Sequence, residues 1–125
     1  MKRLSFYLIG LIMAASLSGC LDGVDTGKTP EQVRAEAPGM SKEALEEIAK
    51  AYADKISSTT AEYRKAQDRI KAIPYQDLMG KKALAVKERA GKLSAKLSTL
   101  NLHYDTYLQH YLEKGGEYEK VRRRR

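Results

Sequence analysis

From Leu45 onward, apolar residues return at alternating steps of four and three: Leu45, Ala49, Tyr52, Ile56, Thr59, Tyr63, Ala66, Ile70 and Ile73, with Thr59 the polar member. That is the spacing at which one side of an α-helix meets a neighbouring helix. Ser41 offers an N-cap hydroxyl just upstream, and Glu43 a favourable first-turn charge. The segment IPYQDLMG interrupts at Pro74 and Gly80. A second stripe follows at Met79, Ala83, Val86, Ala90, Leu93, Leu97, Leu100, Tyr104, Tyr107 and Tyr111, and Gly115-Gly116 provides its C-terminal stop. Each stripe predicts a helix of about 32 residues, or about 48 Å at 1.5 Å per residue.

A short connection makes two long helices antiparallel neighbours. Folding the chain about Gln76 sets Tyr63 opposite Ala90, Thr59 opposite Leu93, Ile56 opposite Leu97, Tyr52 opposite Leu100, Ala49 opposite Tyr104 and Leu45 opposite Tyr107. Small residues then face large ones, which fills a seam without strain. Upstream, Thr29-Pro30-Glu31-Gln32 carries an N-cap threonine, a first-turn proline and a glutamine three residues after the cap, so a short helix should run to about Ala37 and stop at Pro38-Gly39. The fold class is all-α: an antiparallel two-helix coiled-coil hairpin with a short N-terminal helix. Two helices alone bury little against the entropy of ordering them. Either the short helix docks through Val33 and Ala37 at the open end, where Ile48, Leu102, Leu108 and Leu112 widen the apolar stripe, or two hairpins associate as a homodimer into a four-helix bundle.

Ahead of these elements, Met1-Lys2-Arg3 is basic, LSFYLIGLIMAASL from Leu4 to Leu17 is apolar, and Ser18-Gly19 is small. That order is the layout of a secretory signal, and the run is too interrupted by serine and glycine for a spanning helix. The tetrapeptide Leu17-Ser18-Gly19-Cys20 holds the only cysteine and resembles the lipobox of bacterial lipoproteins. The resemblance covers about the first 20 residues. It implies thioether attachment of diacylglycerol to Cys20, cleavage before it and acylation of the new amino terminus, a covalent lipid being the only cofactor-like group expected. It further implies, since Leu21 rather than aspartate follows Cys20, an outer-membrane address facing the periplasm. On this reading residues 1–19 are a signal peptide, 20–29 the lipidated cysteine and a flexible Gly/Asp-rich tether, 30–116 the hairpin domain and 117–125 a basic tail. The plan is similar to that of the major murein lipoproteins, but those end in a lysine joined to peptidoglycan and this chain ends in Arg125.

The formal net charge of +7 changes meaning once it is located. Lys2 and Arg3 lie in the signal and Arg122, Arg123, Arg124 and Arg125 in the tail, which leaves 17 basic against 16 acidic residues. A near-neutral exported body excludes nucleic acid as the expected partner. In a hairpin the second long helix returns toward the anchored end, so the four arginines would meet an anionic membrane surface or acidic envelope polymer, or simply solubilise the tail.

Candidate chemistry is sparse. His103 and His110 are seven residues apart, about 10 Å along a helix, where zinc ligands on one helix sit three or four apart. Both read as exposed flanking positions, and no metal site is expected. Ser94, Ser98, His103 and Asp105 supply the residue types of a hydrolase triad but along one helix, with no elbow or oxyanion hole. The chain therefore reads as non-enzymatic. Tyr104, Tyr107 and Tyr111 read as core, with hydroxyls reaching the rim. Tyr75, Leu78 and Met79, in the turn distant from the anchor, are the candidate protein contact. The expected function is a lipid-anchored structural or accessory component that binds an envelope protein, the alternative being an inhibitory or exclusion lipoprotein.

Overall fold

A computed structural model describes Val24 and residues 27–123; the signal segment, Cys20, Arg124 and Arg125 lie outside the described residues. The regular elements are all helical: α1 (Pro30–Glu36), a 3-10 turn (Ala37–Gly39), α2 (Lys42–Lys71), a 3-10 turn (Tyr75–Asp77), α3 (Lys81–Glu113) and α4 (Tyr118–Val121). The two long helices pack side by side as an antiparallel hairpin about 45 to 50 Å long.

The caps are where the side chains put them. Thr29 Oγ1 accepts from the Gln32 amide at 3.2 Å while the Gln32 side chain accepts from the Thr29 amide at 2.9 Å, so two otherwise orphaned donors are satisfied reciprocally. Ser41 Oγ accepts from the Ala44 amide at 3.1 Å. Gly80, not Met79, caps α3, and its amide donates to the Asp77 carbonyl at 3.0 Å. Met79 therefore falls in the turn and outside the seam, which corrects the first position of the second stripe.

All other stripe positions are buried or half-buried. The Glu62–Arg89 ion pair, at 3.6 Å, lies one position before the Tyr63–Ala90 layer expected from folding about Gln76. Tyr52 and Tyr107 touch with ring centroids 5.5 Å apart although their Cα atoms belong to separate layers. Side chains lean toward the N-terminus of their own helix, so in an antiparallel pair these two rings lean toward each other.

The core divides in two. At the open end Val33 and Ala37 of the N-terminal segment join Leu45, Ala49, Tyr52, Ile56, Leu100 and the three α3 tyrosines in one cluster. Docking of α1, one of the two expected ways to cover the seam, is the arrangement found. Toward the tip, Ala66, Ala90 and Leu93 form a separate small cluster flanked by Tyr63 and Ile70. Thr59, 1% exposed, sits between them. Leu102 and Leu112 do not widen the core as expected; both point to solvent, while Ile48 and Leu108 do pack against it.

The chain after α3 departs most from expectation. Lys114 ends the helix, Gly115 takes φ 84°, and the amides of Gly116 and Gly115 donate to the carbonyls of Tyr111 (2.9 Å) and Leu112 (3.0 Å). This paired bonding reverses the chain. Residues 117–121, assigned to the basic tail, instead return across the open end, with Val121 1% exposed in the main cluster. One branched apolar side chain over the Tyr104 end of the core gives this strap its reason to dock.

Candidate functional site

The two ends of the hairpin differ in kind. At the base, each α3 tyrosine is buried through its ring and uses its hydroxyl on a different neighbour. Tyr104 donates to the Val121 carbonyl (2.8 Å), Tyr107 reaches a Glu36 carboxylate oxygen (3.5 Å), and Tyr111 reaches Glu46 (3.4 Å) while accepting from the Glu117 amide (3.0 Å). The tyrosines thus tie the strap, α1 and α2 to α3, which is core packing with polar rims rather than an open aromatic patch. The Lys114 ammonium donates to the carbonyls of Pro38 (3.1 Å) and Met40, closing the α1 side. Burial pushes the Tyr104 phenol above its ordinary range. The Lys50 ammonium bonded to Glu46 holds that carboxyl below its usual range, and Glu46 in turn raises Lys50.

His103 is fully buried, which corrects its reading as an exposed flank. Its Nδ1 lies 3.2 Å from the Tyr52 hydroxyl and its ring meets the Tyr52 ring edge-on at 5.7 Å. Where elements pack on more than one side of α3, a position beside the stripe is enclosed along with the stripe itself. His110 stays nearer the surface, 3.4 Å from Glu113. Ser94, Ser98 and Asp105 face solvent while His103 faces the core, so the triad residue types do not converge. Among the described residues no group of three or more His, Cys, Asp or Glu side chains is placed to hold a metal ion.

The tip is built the opposite way. Pro74 enters a 3-10 turn closed by Asp77 N to Pro74 O (2.9 Å) and Leu78 N to Tyr75 O (3.3 Å), and the Lys87 ammonium donates to the Leu78 carbonyl at 3.0 Å. The backbone is held, yet Tyr75 is 90% and Met79 82% exposed. Leu78 is half-buried, and Leu84 on the first turn of α3 is exposed. Of the three expected contact residues, two stand in solvent and the third is half-buried.

No family model, curated protein or solved structure matches this chain. Its functional reading rests on its own residues.

Of the arginines expected to meet an anionic surface, Arg122 pairs with Glu119 at 3.3 Å, and Arg123 lies over the Tyr104 ring at 5.4 Å with its guanidinium on the Asn101 side chain. Arg123 is thus engaged by the hairpin itself; Cys20, Arg124 and Arg125 fall outside the described residues. Among the described residues no helix is long and apolar enough to cross a membrane. Sequence reasoning missed the strap, although Gly115-Gly116 followed by Tyr118 and Val121 at a spacing of three carried its signal: a stop, then one short apolar turn.

Proposed function

We propose that this chain is a lipid-anchored helical protein of the bacterial cell envelope, a structural or accessory component that works by contact with another protein and not by catalysis. The observation that carries the reading is the contrast between the ends: a base tied shut by α1 and the strap, and a tip that presents Tyr75 and Met79 on a fixed turn. Large apolar side chains so fully exposed stabilise nothing in the fold, and tyrosine and methionine are enriched where proteins meet. The anchor is supported by the basic start, apolar run and LSGC at Cys20. Two or three acyl chains there would hold the base to the periplasmic face of an outer membrane, each buried methylene contributing about 0.8 kcal/mol. The tip would stand about 45 to 50 Å away.

A photoreactive amino acid at position 75 in living bacterial cells tests the contact, with the same group at Ser98 as the control. Capture of one protein from position 75 alone is expected, and no capture removes the reading. The anchor is tested separately by mass spectrometry of the mature chain, which should begin at a diacylglyceryl-modified Cys20; an unmodified cysteine removes that part.

A further inference from the structure

The near-neutral body is not uniformly neutral. Residues 64–89, the part of the hairpin around the turn, hold eight basic against three acidic side chains, one of the eight, Arg89, being paired with Glu62 just outside this range, whereas residues 27–63 and 90–123 together hold eleven of each. Nearest the turn, Arg69, Lys71, Lys81 and Lys82 are exposed and form no ion pair among the described residues. The uncompensated positive charge of the described body is thus at the tip, around Tyr75 and Met79, and not at the strap, where Arg122 and Arg123 are engaged internally.

We propose that the tip contact, on which this inference rests, takes an acidic protein surface: an apolar pocket for Tyr75 and Met79 rimmed by carboxylates that meet Lys71, Lys81 and Lys82. An aromatic anchor in a pocket surrounded by a complementary charged rim is the arrangement that concentrates binding energy at the centre and steers encounter from the edge. One feature favours a protein over an anionic bilayer. The turn is hydrogen-bonded into one shape, which suits a pocket of matching shape and lowers the ordering cost of binding.

The test uses the acylated full chain in detergent micelles and the protein captured from position 75, purified. Between about 0.1 M and about 0.5 M NaCl the Kd should rise about tenfold, because exposed charges are screened over that range. Lys81→Glu with Lys82→Glu should weaken binding at low salt about tenfold and flatten the salt dependence. These residues open α3, where acidic side chains favour the helix, so loss of binding in this variant is not loss of fold. Glu43→Lys with Glu47→Lys, at the base, should leave binding unchanged. A captured protein whose affinity ignores both salt and charge reversal overturns the acidic-partner inference and leaves the tip contact standing, whereas no capture from position 75 overturns both. The chain has no tryptophan, so Tyr75→Trp reports on the tip alone. Quenching of that residue by brominated lipid in phosphatidylcholine vesicles with about 30% phosphatidylglycerol, with none for Leu102→Trp, overturns the inference in favour of a membrane.

Discussion

Gly116 is packed too closely against Tyr111 to take a side chain. A Cβ there would stand 2.3 Å from Cε2 and Cζ of Tyr111, a ring that is itself fixed by Glu46 and the Glu117 amide and has nowhere to move. Gly116→Ala should cost about 1 to 3 kcal/mol, in the range of core overpacking, and free the strap: amides of Glu117 to Val121 should lose hydrogen-exchange protection while those around Ala90 keep theirs. Tyr104 gives a pH signature of the same joint. Burial raises its pKa above that of the unfolded chain, so its contribution is fully present below about pH 10 and is lost as pH rises through the folded value. The phenolate also has no proton to donate to the Val121 carbonyl. Stability measured from pH 9 to pH 11 should therefore fall more steeply in the parent chain than in Tyr104→Phe, and equal slopes would show that the buried phenol is not what the alkaline limb reports. Neither residue's role was legible beforehand. Gly116 reads as an ordinary helix stop, and Tyr104 as one of ten stripe members, until the returning strap gives each a partner.

At the scale of elements, the stripes were legible because each long helix repeats its apolar step over many turns, and the caps because Thr29, Gln32 and Ser41 act within three residues of themselves. Both signals are local. The strap repeats nothing: α4 is four residues long, Val121 is its sole buried member, and it docks through the Tyr104 hydroxyl 17 residues back and the Glu117 amide on the Tyr111 hydroxyl. His103 was misread for a related reason, since periodicity assigns a position to a face but not the number of elements that cover that face. Thr59 shows the converse, a polar residue inside a legible stripe that is buried between the two apolar clusters. Thr59→Val would put a methyl group in place of the hydroxyl and extend apolar contact between the two clusters. A gain of about 1 kcal/mol is expected, read as a rise in Tm of roughly 4 to 8 °C, and a fall in Tm would mean the hydroxyl has a bonding role that the valine removes.

For the whole molecule, the ends make separable demands, and separability is itself testable. Everything that holds the base together lies away from the turn: the larger cluster ends at Ile56 and Leu97, and the strap, α1 and the three tyrosine hydroxyl bonds all act on the open end. Everything proposed for contact lies at the turn, on side chains that bury almost nothing in the fold. A chain cut after Gly116 loses Val121 and the Tyr104 and Glu117 bonds, so its Tm should drop by several degrees, consistent with removal of one buried valine worth about 1.5 to 3 kcal/mol. Its capture of a protein from position 75 should be undiminished at temperatures where it is folded. Tyr75→Ser should do the reverse: stability within about 0.5 kcal/mol of the parent, as for surface substitutions generally, and loss of affinity for the purified protein that was captured from position 75. If truncation instead abolished capture while the hairpin remained folded, the strap would belong to the binding surface. The contrast between a closed base and a bare tip would then no longer be the basis of function.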